Sequence, residues 1–348
     1  MSMKRSADEP LGPGVVMAAS AVAPIDLPPA AGIVGDRMLG VVLNPNAVGI
    51  KRNPALAARL RAIAGDAGEV VTTFDMAGLD AAIDRFVSRG CDTIAICGGD
   101  GTNLSTLTAL VARCGAANLP RVAILRGGTV NTVARNLGIR GQPDALLGRL
   151  VNALRGGGPL PIQEHDLIAV SDDGAPRTRY GFLFAAAMGA RFIEAYYGGP
   201  PGAAWAMLMA VRIAGSSLVQ GPYASALFAP VEVELTADGE RQPITGARLL
   251  LASTIPDVGI GMRVMWQAGR DPRRFHLLAS AISTTHMALQ LPRVLSGRPL
   301  SGSPHVDRPA AEATMAFRKP EVWTLDGELY RAQELSVRVG PRLRIVRC

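Results

Sequence analysis

The stretch Ile94-Ala95-Ile96-Cys97-Gly98-Gly99-Asp100-Gly101-Thr102 reads as an apolar strand running into a Gly-Gly-Asp-Gly turn, with Thr102 opening the next helix. Glycines here let the backbone turn tightly and let a ligand approach with no Cβ in the way. The helix that follows offers free N–H groups and the positive end of its dipole, a combination that suits phosphate. Asp100 adds a carboxylate that would not touch phosphate directly. It suits the outer shell of a metal ion, a ribose hydroxyl or a metal-bound water. A second stretch repeats the plan: Val122-Ala123-Ile124-Leu125 is a strand, Arg126-Gly127-Gly128 a turn, and Val130–Leu137 a helix stopped by Gly138. Thr129 is the expected N-cap, with a hydroxyl also in reach of phosphate. Two such turns after successive strands emerge at one edge of a parallel sheet, where α/β proteins bind ligands.

Outward from these turns, Leu39–Leu43 is a buried-strand run that ends at Asn44-Pro45. Pro54–Ile63 and Leu79–Ser88 read as helices, Val70–Thr73 as a strand, and Thr102–Arg113 as the helix after the first glycine turn. Strands alternating with helices mean βαβ units and a parallel sheet covered on both faces. After Leu160 the alternation stops. Ile162–Val170, Arg179–Ala185, Ser225–Phe228, Val231–Leu235, Arg248–Ser253, Phe275–Leu278 and Val322–Leu325 are short strand candidates, with Gly202–Val219 and Ser280–Val294 helical. That composition predicts an antiparallel, sandwich-like β-rich unit with a few helices packed on it. The expected organisation is therefore a flexible extension over 1–37, a doubly wound nucleotide-binding α/β domain over 38–158, and a β-rich acceptor-binding domain over 159–348. The active site would lie in the cleft between the two domains, and the last strands could pack back on the first. The stretch Arg155-Gly156-Gly157-Gly158-Pro159 marks the boundary.

The chain has 348 residues, 48% hydrophobic and 19% charged, which excludes a disordered chain and leaves ample material for a core. Its four cysteines form no C-x-x-C pair, so a disulfide scaffold or a cysteine zinc site is not expected, and a reducing, cytoplasmic setting is. The formal charge is +7, and only Lys4, Lys51 and Lys319 among the 36 basic residues are lysines. That bias reads as coding-genome composition; what survives is a basic surface that attracts phosphates or anionic lipid headgroups. Aromatic residues are only 5% and no basic run occurs, so nucleic acid is not an expected partner. No run of eighteen uninterrupted apolar residues is present, so membrane contact would be peripheral, at the inner membrane surface.

The GGDGT loop, the G-T-x-N-x-x-A-R-x-L-G-I segment over Gly128–Ile139 and the upstream Asn44-Pro45 resemble the diacylglycerol kinase catalytic-domain family, which includes diacylglycerol, sphingosine and ceramide kinases and the bacterial YegS-like lipid kinases. The resemblance is strong to Ile139 and weaker beyond. It implies ATP and Mg²⁺, and a nucleotide site built from Asn44, Thr73, Gly98, Gly99, Asp100, Gly101, Thr102 and Thr129. In the second half, Leu325-Asp326-Gly327-Glu328 resembles the family's D-G-E motif, whose Glu is taken as the general base, here Glu328. Asp100 joins it as a catalytic residue, and Asp271 falls near the segment that supplies a metal ligand. The chain also departs from the family pattern: Ser105 stands where a Glu is usual, Thr132 where an Asp is, Gly189-Ala190-Arg191 replaces Gly-Phe-Asp, and Pro272 replaces a Gly.

The implied activity is transfer of the γ-phosphate of ATP to a hydroxyl of a diacylglycerol-, sphingoid- or ceramide-like lipid, with a carboxylate taking the hydroxyl proton. The apolar stretch Ala203–Val211 with its two methionines would line an acyl-chain pocket, rest on a bilayer near Arg212, or form core. Two other readings stay open: an NAD-kinase-like phosphotransferase acting on a soluble acceptor, and a catalytically degenerate nucleotide- or lipid-binding relative. Asp100, placed in a loop, is expected to be dispensable for folding.

Overall fold

The computed structural model describes residues 38–174, 177–200, 202–302 and 305–348. The extension expected over residues 1–37 lies outside the described residues. The first half alternates as β1 (Leu39–Leu43), α1 (Val48–Lys51), α2 (Leu56–Ala64), β2 (Gly68–Thr72), α3 (Met76–Ser88), β3 (Thr93–Cys97), α4 (Asp100–Cys114), β4 (Arg121–Ile124), α5 (Thr132–Asn136) and α6 (Pro143–Arg155). The strands pair in parallel in the order β4-β3-β1-β2. β1 and β3 are buried at every position, which is why they read as unbroken apolar runs. Helix α3 turns Leu79, Ala82, Ile83, Phe86 and Val87 inward, at the spacing of one helical face. Asp75 caps it by accepting from the Gly78 N–H at 2.7 Å. From β1 the chain crosses to β2 on one side, and from β3 to β4 on the other. The crevice beyond the ends of β1 and β3 is therefore the switch point where such sheets bind ligands.

The second half is antiparallel: β5 (Ile162–Asp172), β6 (Arg179–Gly181), β7 (Leu183–Ala187), α7 (Met188–Tyr197), α8 (Ala203–Leu218), α9 (Pro222–Leu227), β8 (Val231–Ala237), β9 (Glu240–Arg241), β10 (Gly246–Ala247), β11 (Leu249–Ser253), β12 (Phe275–Ser280), α10 (Thr284–Leu289), α11 (Leu291–Leu295), β13 (His305–Ala310), β14 (Glu312–Leu325) and β15 (Glu328–Val346). Its core packs Phe184 against Trp323, with ring centroids 5.8 Å apart, and includes Phe275, Leu277 and Leu325. β14 and β15 form a hairpin turned by Asp326 (φ 48°) and Gly327 (φ 95°), the positive angles that an Asp-Gly pair supplies. β15 then runs on beside β5 and pairs in parallel with β4 at Ile345↔Val122. One continuous strand thus ties the β-rich half to the parallel sheet. The doubly wound and β-rich architecture read from the sequence is the one observed.

Several elements differ from expectation. Ser225–Phe228 falls largely in helix α9, with Pro222 fixing its first turn. Four residues, three of them apolar, carry too little periodicity to separate strand from helix. The single helix expected over Ser280–Val294 is two short ones, broken where Gln290 precedes Leu291-Pro292. Helix α4 begins at Asp100 rather than Thr102. α5 begins only at Thr132, because Asn131 takes the left-handed conformation (φ 51°, ψ 52°).

Candidate active site

The two glycine turns lie back to back at the switch point. A Cβ on Gly128 would come within 2.5 Å of Gly99 Cα, and one on Gly127 within 2.9 Å of Gly98 N. A Cβ on Gly98 would strike the Thr102 side chain. Gly127 and Gly128 are required by the packing of one turn on the other, and Gly98 by the Thr102 side chain, constraints separate from ligand approach. Asn44 bridges them to β1: its backbone N–H donates to Cys97 O at 3.0 Å and its Nδ2 to Thr102 Oγ1 at 2.9 Å. Thr73 sits one strand over and is buried, with its N–H donating to Leu43 O at 2.9 Å.

Asp100 joins the two turns. Its Oδ2 accepts from Thr132 N at 2.8 Å and its Oδ1 from Val133 N at 3.2 Å, so it caps α5 from across the crevice. Thr129 does not cap that helix. The chain turns instead at Asn131, whose Oδ1 accepts from Gly128 N at 3.0 Å and whose Nδ2 donates to Gly128 O at 2.7 Å. This leaves Thr129 exposed on the crevice wall beside Asp100 and Gly101. The loop position expected for Asp100 is likewise corrected: it is the first residue of α4 and a bonded strut of the site.

Glu328 reaches into the same crevice from the β14–β15 turn. Its carboxylate lies over Gly101, so closely that a Cβ on Gly101 would collide with Glu328 Oε1. Asp326, two residues earlier, is buried and accepts from Phe182 N at 3.1 Å and Leu183 N at 2.9 Å, which fixes the turn against β7. Tyr197, at the end of α7, donates its hydroxyl to Gly327 O at 2.8 Å. Three carboxylates therefore face one small volume. Burial raises Asp100, although the Thr132 and Val133 N–H bonds and the Arg135 charge oppose the shift. Burial, followed by the neighbouring Asp100 charge, pushes Asp326 up to about 8. Glu328 keeps an edge in solvent, but enclosure of its carboxylate raises it as well. Raised carboxyl groups at a cleft are what a proton-accepting site requires.

Asn44, Thr73, Gly98–Thr102, Thr129 and Glu328 are thus assembled around the switch point, and Asp271 is not. Asp271 occupies an exposed turn where its Oδ2 lies 3.5 Å from Arg274 Nε, and it does not line the crevice. Among the described residues no group of three or more His, Cys, Asp or Glu side chains converges as a cation site. The donors present fit Mg²⁺ in only one way. Asp100, whose two oxygens each accept a single N–H bond, has lone pairs to spare and would hold the ion together with phosphate oxygens and waters.

From the Asp100–Gly101 end a cavity of about 580 Å³ opens into the β-rich half. Asp100, Thr129, Thr132, Asp326 and Gly327 line its polar mouth. Its body is apolar, walled by β7 and β11 through Ala185, Leu249 and Leu251 and by α8 through Ala206, Ala210 and Ile213. In the sequence Asp326 enters only as part of the D-G-E motif, with no role of its own, and Tyr197, which carries no local signature, does not stand out.

Residues 38–156 match the diacylglycerol kinase catalytic domain. No curated protein matches the chain. Among solved structures, a diacylglycerol kinase from Bacillus anthracis str. Sterne superposes with a TM-score of 0.59 at 13% identity, covering 91% of this chain and 98% of its own. A second protein of that organism, assigned the same activity, gives 0.62 at 13% identity over 91% and 99%. At such identity the likeness is one of fold, and it extends over both halves of the chain.

Proposed function

We propose that this chain, which carries a diacylglycerol kinase catalytic domain over residues 38–156, phosphorylates a hydroxyl of an amphiphilic lipid at the expense of ATP. The observation that carries this reading is the cavity with carboxylates and helix-terminal amides at its mouth and an apolar body behind them. A soluble sugar or nucleotide acceptor would leave that apolar surface unmatched, whereas an acyl or sphingoid chain fills it. This disfavours the NAD-kinase-like alternative.

The site residues divide the work. The N-terminal amides of α4 and the crossed glycine turns receive the triphosphate. Asn44 and Thr73 flank it from the ends of β1 and β2, and Thr129 from the second turn. Glu328 faces Gly101, across which the γ-phosphate and the acceptor hydroxyl would meet, and its raised proton affinity suits it to take the hydroxyl proton. Asp326 and Tyr197 hold the turn that presents Glu328. Mg²⁺ held by the phosphates with Asp100 would supply neutralisation of the charge that develops on transfer.

The test is a panel of detergent-dispersed diacylglycerols, sphingoid bases and ceramides incubated with labelled ATP. Label is expected on one lipid class, and Glu328→Ala is expected to abolish it while nucleotide binding persists. Nucleotide binding without turnover on any acceptor would overturn the reading in favour of a degenerate relative, to which Ser105 and Thr132 lend support.

A further inference from the structure

Helix α8 is apolar on every side: of its sixteen residues only Arg212, Ser216 and Ser217 are polar. A helix of that kind is ordinarily buried all round. Here one face is buried. Ala206, Met209, Ile213 and Ser217 point inward, and Ala206, Ala210 and Ile213 wall the cavity. The opposite stripe, Met207, Leu208, Val211 and Leu218, is open to solvent, with Leu208 58% and Val211 62% exposed. Helix α10 abuts the same helix, Thr285 Oγ1 donating to Ser217 O at 3.1 Å, and the α10–α11 pair adds exposed Leu289 and Leu295. Contiguous exposed apolar surface of this kind marks an interaction site.

The charge around this face selects its occupant. No Asp or Glu occurs between Glu194 and Glu232, nor between Asp271 and Asp307, the two stretches that supply α8, α9, α10 and α11. The exposed charges there are arginines: Arg212, over the Tyr223 ring at 4.3 Å, and Arg293 and Arg298 around α11. Arg263, also exposed, joins them through its N–H bond to Val294 O. The basic loop over Arg270–Arg274 behaves differently. Its Arg270 lies over Trp266, Arg273 bonds Asp166 and Gly340, and Arg274 pairs with Asp238. An apolar stripe on acid-free segments whose exposed charges are arginines matches an anionic bilayer surface, with side chains in the acyl boundary and guanidiniums among the headgroups. Among the described residues no helix is long and apolar enough to cross a membrane, so the contact is one of lying on the surface.

We propose that α8, with the α10–α11 pair, is the face by which this protein docks on anionic lipid bilayers, and that a single helix separates the bilayer from the acceptor cavity. The inference rests on the lipid-kinase reading for its purpose. Its own evidence is the acid-free apolar face.

The test measures flotation of the full chain, without ATP, on vesicles of phosphatidylcholine alone and on vesicles of equimolar phosphatidylcholine and phosphatidylglycerol. Binding is expected on the anionic vesicles, weakening as salt is raised. Leu208→Glu with Val211→Glu is expected to lower it by at least about tenfold, since each lost side chain forfeits the burial of a whole aliphatic group. Neither residue lines the cavity, so this variant should still phosphorylate a detergent-dispersed acceptor while losing the same acceptor in vesicles. If it does not fold, Arg212→Glu with Arg293→Glu serves instead, with loss of the anionic preference expected. Absence of wild-type flotation, or flotation unchanged in both variants, overturns the proposal. So does a wild-type dimer that the Leu208→Glu, Val211→Glu variant dissociates, with no vesicle binding, since a second copy would then be the occupant. Vesicle binding without phosphorylation of any lipid would leave the docking face standing and sink the kinase reading.

Discussion

Gly101 leaves the space that the Glu328 carboxylate fills, and the two residues come from opposite halves of the chain, 227 positions apart (328 − 101). The absence of one Cβ in the first glycine turn lets the β14–β15 hairpin bring its acid to within reach of the α4 N-terminus. The third glycine of Gly-Gly-Asp-Gly therefore serves the partner lobe, while the first leaves room for the Thr102 side chain and the second lies against Gly128 of the neighbouring turn.

Gly101→Ala should accordingly behave as a displacement of Glu328. Its backbone φ is not positive, so the substitution carries no helical penalty, and α4 should form. The new methyl forces the carboxylate away. Phosphoryl transfer should fall by about 10²–10⁴-fold, the usual contribution of a placed general base. Nucleotide affinity should be kept, and Glu328→Gln should add little to the loss in the double variant. Additive losses in kcat would mean that the two residues act separately.

Asp100 stabilises as well as functions. Asp100→Ala removes both acceptors that hold the Thr132 and Val133 N–H groups, and loss of such a cap costs about 1 kcal/mol. The thermal midpoint should drop by a few degrees, and Asp100→Asn, which keeps one acceptor oxygen, should recover part of that drop. An unchanged midpoint in Asp100→Ala would restore the simpler view of a loop carboxylate.

The buried Asp326 makes stability depend on pH in a defined direction. Its carboxyl is held protonated to about 8, against 3.8 for the free group. A raised folded-state value contributes stability that is complete below the unfolded value and is lost as pH rises through the folded one. Denaturant midpoints should therefore decline between about pH 4 and pH 8, and Asp326→Asn should flatten that decline. At the acid end Asp307 acts oppositely. Burial would raise it, but hydrogen bonds from His276, His305 and Trp266 hold it well below the usual carboxylate range. Its contribution disappears as pH falls beneath about 4, so stability should also fall there.

Much of this arrangement was legible in the sequence, and the residues show why. β1 and β3 are buried on both faces, so they appear as apolar runs, and the first glycine turn follows β3 at once. Both are local signals. What the sequence could not convey depends on distant contacts: Asp100 capping α5, Tyr197 bonding the Gly327 carbonyl, Asp271 facing solvent beside Arg274. The same holds for α8, whose uniform apolarity leaves core and surface indistinguishable until its packing on the cavity is known. Ser225–Phe228 was misread because a short apolar run carries no period of its own.

The apolar body of the cavity yields the most direct test of acceptor choice. Ala210 lines it from α8, and a phenylalanine there would project into the space that an acyl chain would occupy. Every two methylenes shut out of the cavity cost about tenfold in affinity, because each buries roughly 0.8 kcal/mol. Ala210→Phe should therefore raise KM steeply for long-chain acceptors and hardly at all for short-chain ones, with kcat for the latter and nucleotide affinity unchanged. Chain length is the variable that separates the explanations. A distorted mouth would penalise all acceptors alike, since the hydroxyl must reach Glu328 whatever follows it, whereas a filled chamber penalises only chains long enough to enter it. Equal losses across chain lengths would remove the cavity from acceptor recognition and leave the apolar walls as mere packing.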